Sequence, residues 1–172
     1  MATVESMSTA PAITAILGLR RLPALRVVSL RHAAGSTFTP AAEAGRVVGD
    51  GPRWLWRSPT EQLWIGDDEA AAQSVIAAHA PGIDPLVVAV DQTAGVAAWS
   101  LERSAWQLLL PRLIDASAMP GAAGWGTRAR LADVAVTLLR IDDNELWLLA
   151  AREVEGYLLA WLTHAHACAL EG

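Results

Sequence analysis

Apolar residues in this chain come in short runs broken by polar turns, and the spacing inside each run changes along the chain. At mid-chain, Leu86–Val90 is a short apolar run ended by Asp91, Gln92 and Thr93, and Gly95 opens a second run that lasts through Leu101. Two β-prone runs flanking a polar turn with Gly predict a pair of strands. Next, Trp106, Leu109, Leu110 and Leu113 recur at helical spacing. Ser100 is an N-cap candidate there, Glu102 falls in the first turn, and Pro111 ends or kinks the helix.

The same reading carries through the rest of the chain. Residues 1–23 read as an irregular N-terminal arm ending at Pro23, and 24–172 as a single α+β domain. Leu25–Arg31 reads as a strand, and His32–Asp50 as loop with a helical turn near Ala41–Ala44. Arg53–Arg57 and Gln62–Gly66 form paired strands across a Pro59 turn; Asp67 then caps a helix that Pro81 and Gly82 end. Ile114–Gly126 is a Gly/Ala/Pro-rich loop. Leu131–Ile141 alternates as a strand, Asp142–Asn144 turn, Glu145–Ala150 return, and Arg152–Ala167 form a helix with a wide apolar stripe. Residues 53–80 and 136–165 repeat one hairpin–helix pattern, with Leu63 and Trp64 falling on Leu146 and Trp147.

Composition narrows the function classes. Hydrophobic residues make up 53% and charged ones 18%, which leaves few charges to cover an exterior and predicts an apolar partner-facing surface. A net charge of −5 argues against nucleic acid, and no apolar run is long enough for a membrane helix. All thirteen basic residues are arginine, so Schiff-base chemistry and a P-loop lysine are excluded. One cysteine, Cys168, and an N-terminus without the basic-then-apolar order of a signal peptide predict a cytoplasmic protein.

Candidate chemistry is sparse. His164, His166 and Cys168 place two metal-ligand types on one helical face but lack a full ligand set. Asp67, Asp68 and Glu69, like Asp142 and Asp143, read as cap and turn carboxylates. Gly121–Gly126 is Gly-rich but neither follows a strand nor opens a helix, so it is no dinucleotide loop. Asp91 and Thr93 are the weak candidates for ligand binding; no catalytic residue and no metal site is assigned. Eight tryptophans against one Phe and one Tyr point to core and interface anchoring, with Trp125, Trp106 and Arg112 as interface candidates.

The order of these pieces resembles the gamma subunit of heterotetrameric sarcosine oxidases, from about Arg53 to Leu162. The resemblance is carried by Pro59-x-Glu61-x-Leu63-Trp64, by Val90-Asp91-Gln92-Thr93 with Gly95, by the Leu109-Leu110 helix end, by Leu131-Ala132 before Val134–Leu139, and by the stretch from Arg152 to Trp161-Leu162. Ala94 stands where that family often has His, and Arg103 where it has Gly. The resemblance implies duplicated ferredoxin-like halves, as in the folate-binding aminomethyltransferase fold. It further implies a non-catalytic structural subunit, without a cofactor of its own, of a flavin- and folate-dependent sarcosine oxidase or a related demethylase of N-methyl or secondary amines. The implied partners are an alpha subunit with NAD and tetrahydrofolate, a beta subunit with FAD and FMN, and a delta subunit with zinc. The alternatives are a stand-alone folate-binding protein or an interaction module.

Overall fold

The computed structural model describes residues 16–80 and 82–171. Two strands precede the first long loop, β1 (Leu19–Arg21) and β2 (Arg26–His32). Then come β3 (Val47–Val48), β4 (Arg53–Ser58), β5 (Glu61–Gly66), helix α1 (Glu69–Ala78) and β6 (Val87–Asp91). The second half holds β7 (Val96–Glu102), α2 (Arg103–Leu109), β8 (Trp125–Leu131), β9 (Val134–Arg140), β10 (Glu145–Ala151) and α3 (Glu155–Leu170). The class is α+β, with two five-stranded antiparallel sheets.

The N-terminal sheet runs β3-β4-β5-β2-β6, and the C-terminal sheet, read from its matching edge, runs β8-β9-β10-β7-β1. Matching β3 with β8, β4 with β9, β5 with β10, β2 with β7 and β6 with β1 therefore gives one strand order twice. The last position of the C-terminal sheet is filled from the far end of the chain, by β1. Two crossovers follow, one at 22–25 and one at 92–95. Each is fastened alike: Leu22 N–H donates to the Ala98 carbonyl at 2.9 Å, and Gln92 N–H to the Val27 carbonyl at 2.8 Å.

The sheets pack face to face. Val27, Leu55, Leu63 and Ile65 of one meet Ala98, Leu139 and Leu149 of the other in a shared core. α2 and α3 cover the opposite face of the C-terminal sheet, over Trp99, Leu101, Leu146 and Leu148. α1 covers the outer face of the N-terminal sheet over Val28, Leu30 and Trp64. At one corner the sheets are stitched by backbone: Val47 N–H donates to the Gly124 carbonyl and Gly126 N–H to the Gly45 carbonyl, both at 2.9 Å.

Several sequence expectations change here. β6 and β7 are not partners: β6 pairs with β2, whereas β7 pairs with β1 and β10. The polar residues between them form a 3-10 turn, Thr93–Gly95, that hands the chain from one sheet to the other. The expected arm contains β1, with Ile16 and Leu19 buried in the helix-side core, while residues 1–15 lie outside the described residues. The loop expected to end at Gly126 already holds the start of β8 at Trp125. No helical turn forms at 41–44.

Helix ends shift as well. The cap of α1 is Asp68, whose carboxylate accepts the Ala70 and Ala71 N–H groups at 2.8 and 3.2 Å; Asp67 stands one residue outside. α2 begins after Glu102 rather than Ser100, because Ser100 is still paired in β7, and Pro111 ends it in a 3-10 turn. The repeated residue match also slips. Leu63 faces the inter-sheet core and Leu146 the helix side, so they sit on opposite faces although their elements correspond. A slip of one residue in a strand exchanges its faces.

Candidate functional site

Asp91 and Thr93 lie on the 92–95 crossover, and their polar atoms are spent on holding it. Thr93 Oγ1 accepts the Val27 N–H at 3.0 Å, while Thr93 N–H donates to Asp91 Oδ1 at 2.8 Å. Hydrogen bonds from the Thr93 side chain and then its backbone hold Asp91 below the ordinary carboxylate pKa. Arg152 closes the turn from the other sheet, donating to the carbonyls of Ala94 at 2.6 Å, Val96 at 2.8 Å and Thr93 at 3.3 Å. An acid pinned to its own turn, with its carboxylate lowered, is ionised at neutral pH and is no general acid.

The cavity beside this turn has a volume of about 240 Å³ and is lined by Val27, Leu63, Val96, Thr137 and Leu149, with Arg57 as its charged group. That falls below the roughly 300–1,000 Å³ of small-molecule sites. Asp91 is not among the lining residues.

Glu61 has three side-chain partners. It accepts the Ser29 hydroxyl at 2.7 Å, with Arg57 at 3.2 Å and Arg31 at 3.3 Å. Burial alone would raise its pKa; the Ser29 hydrogen bond, with Arg57 and Arg31, outweighs it and lowers the value. The arrangement is a clip across β2, β4 and β5, one carboxylate shared by two guanidinium groups and a hydroxyl. Sequence reasoning passed over it because Ser29, Arg57 and Glu61 have no motif spacing.

A cavity of about 670 Å³ opens where β7 and the β9–β10 turn end, and is lined by Arg20, Ser100, Glu102, Arg103, Asp142 and Glu145, among others. Ser100 Oγ donates to Glu145, which also accepts Trp147 Nε1–H at 3.0 Å and lies 3.6 Å from Arg20. Asp142 takes the N–H groups of Asn144 and Glu145, as a turn carboxylate does. None of the four histidines lines this cavity, so Ser100 has no histidine base beside it.

The remaining candidates are dispersed. Trp106 is in the core, with the Arg140 guanidinium 5.5 Å from its ring centroid, so the free chain does not present it as an anchor. Trp125 is 39% exposed with Arg46 over its ring, and Arg112, in the 3-10 turn after α2, is exposed while donating to the Leu108 carbonyl of that helix. On α3, Cys168 Sγ lies 3.6 Å from His164 Nε2, and His166 points elsewhere. Among the described residues no three His, Cys, Asp or Glu side chains converge as a metal site. No helix among them is long and apolar enough to cross a membrane.

Two surfaces are apolar. Ile83, Leu86, Val88 and Val90 are exposed along the free edge at β6. The outer face of α3 shows Tyr157, Trp161, His164, Cys168 and Leu170 and carries no Asp, Glu or Arg from 156 to 170.

No family model and no curated protein matches the sequence. Among solved structures, a chain of the heterotetrameric sarcosine oxidase from Corynebacterium sp. U-96, in complex with pyrrole 2-carboxylate, matches with a TM-score of 0.76. The identity is 24%, and the match covers 88% of this chain and 84% of that chain. Two stacked antiparallel sheets with helices on their outer faces are thus a fold this protein shares with a chain of that oxidase.

Proposed function

We propose that this chain is a non-catalytic structural subunit of a hetero-oligomeric flavin- and folate-dependent sarcosine oxidase, or of a related demethylase of N-methyl or secondary amines. The observation that carries the reading is the fold match along nearly the whole of both chains, joined to the strand order that occurs twice. Each half, stripped of its β3 or β8 edge, has the four-strand order of a ferredoxin-like unit, and we read the fold as two such halves exchanging an edge strand. The two apolar surfaces support a partnered state, because large exposed apolar patches mark interaction sites. The polar clusters support a non-catalytic role: Asp91 and Asp142 are held in turns, Asp68 in a cap, and Glu61 between Arg31 and Arg57.

On this reading the partners are alpha, beta and delta subunits, in the cytoplasm, and they carry the NAD, tetrahydrofolate, FAD, FMN and zinc. This chain supplies a folded body against which they assemble. The test is co-expression with the alpha, beta and delta subunits of the same organism, followed by size-exclusion chromatography. Co-elution with a yellow, flavin-containing complex is expected. A chain that elutes alone, as stable alone as with the others, overturns the reading and puts a stand-alone module in its place.

A further inference from the structure

Sheet coverage differs between the halves. α2 and α3 lie on the C-terminal sheet, while α1 alone lies on the N-terminal one, and the chain between β2 and β3 is loop. Buried Gln62 pins that loop, accepting the Ala41 N–H and donating to the Ala42 carbonyl, both at 3.0 Å. Between the loop, β4 and the C-terminal end of α1 lies a cavity of about 380 Å³ lined by Phe38, Trp54, Ala78, His79, Asp84 and Val87, among others. This volume is within the roughly 300–1,000 Å³ of small-molecule sites.

The electrostatics of this cavity run in one direction. α1 ends here after ten residues with no basic residue in its last turn, and a helix C-terminus bears partial negative charge. Asp84 accepts the Thr37 N–H at 2.9 Å, the Thr37 hydroxyl at 2.8 Å and the Leu86 N–H at 2.9 Å. His79 Nδ1 lies 2.8 Å from the Val75 carbonyl, which can only accept, so Nδ1 carries a proton and a neutral ring leaves Nε2 as an acceptor. Phe38 sits between the rings of His32 and His79, at 5.0 and 5.7 Å. Of thirteen arginines in the chain, none lines the cavity. An anion would meet a carboxylate and a helix end with no arginine to neutralise it. A cation meets the Asp84 carboxylate, the negative end of α1 and the aromatic side chains of Phe38 and Trp54, and aromatic rings attract alkylated ammonium groups in particular.

The geometry points to a small organic cation of the alkylammonium class bound beside Phe38, Trp54, His79 and Asp84. This inference stands on the cavity alone and is independent of the subunit reading, so either can fail without the other.

The test titrates the full-length, nitrogen-15-labelled chain with choline and with its neutral isostere 3,3-dimethylbutan-1-ol at constant ionic strength. The Trp54 indole signal and the Thr37 and Leu86 amides report on the cavity. Saturable choline shifts at these positions are expected, with affinity about tenfold above that for the isostere, and a loss of about tenfold in Trp54→Leu and in Asp84→Asn. Equal binding of the two compounds, shifts that do not saturate, or shifts confined to other surfaces overturn the inference. Should Trp54→Leu fail to fold, the comparison of choline with its isostere on the unmodified chain decides alone.

Discussion

Arg152 Nη2 donates to the Val96 carbonyl at 2.8 Å, tying the turn that opens the C-terminal helix to the first residue of the strand that opens the second half. The same guanidinium also reaches the Ala94 and Thr93 carbonyls, so one side chain holds two acceptors on the 92–95 crossover and a third on the residue that follows it. Arg152→Ala should destabilise the chain by about 1–2 kcal/mol, at the lower end for charged hydrogen bonds because the side chain is exposed. For a chain of this size that lowers Tm by a few degrees. Arg152→Lys should recover part of the loss, since an ammonium cannot span three carbonyls as the planar fork does. An unchanged thermal melt for Arg152→Ala would show that the crossover holds without it.

Thr93 acts at the same turn from inside. Thr93→Val removes the oxygen that accepts the Val27 N–H and leaves that partly buried donor unpaired. A loss of about 1–3 kcal/mol is expected. Hydrogen exchange reads it locally: the Val27 amide should lose protection ahead of Leu30, which sits deeper in the same strand. Protection of Val27 equal to that of the unmodified chain would mean a replacement acceptor exists.

Glu61 predicts a pH dependence. Its folded-state pKa is lowered below 4.5 by Ser29, Arg57 and Arg31 acting against burial. A depressed carboxylate contributes stability that is present above the unfolded value and is lost as pH falls through the folded one. Glu61→Gln should therefore be less stable than the unmodified chain at pH 7, and the gap should shrink as pH falls below 4.5. Urea unfolding at both ends of that window measures it. A gap that stays constant with pH would assign the loss to packing rather than charge.

Gly126 probes the corner where the sheets meet. A Cβ there would run into Leu55 Cδ1 and come within 3.3 Å of both Val47 Cγ2 and the Leu138 carbonyl. Leu55 and Val47 are buried on the facing sheet, so Leu55 has little room to yield. Gly126→Ala should cost about 1–3 kcal/mol by overpacking. Gly121→Ala, with open space around its added Cβ, is the control and should leave the urea midpoint in place.

Local chemistry settled much of the element order. Pro59 between two β-prone runs, acidic residues ahead of Ala70, and the alternation in Val134–Leu138 each point to one local structure, and β4, β5, α1 and β9 follow. The hairpin–helix pattern at 53–80 and 136–165 was visible for the same reason. Strand β8 was not, because it starts inside the Gly-rich stretch, at Trp125 and Gly126, and its buried positions hold only the small residues Gly126 and Ala129 before Leu131. Nor was β1, whose three residues are too few to show a period.

Sequence alone places most strands and helices along the chain, though not their ends, and shows a composition poor in charge. Which sheet each strand joins was decided only in three dimensions. The turn 92–95 reads the same whether it closes a hairpin or crosses between sheets, and contacts from Val27 and Arg152, distant in sequence, choose the crossover. Register was left open for a related reason. Leu63, Trp64 and Ile65 are all buried, since this strand is covered by a sheet on one side and a helix on the other. A strand apolar on both faces shows no alternation from which to read its inward side, so only packing could place Leu63 against the facing sheet and Leu146 beneath the helices.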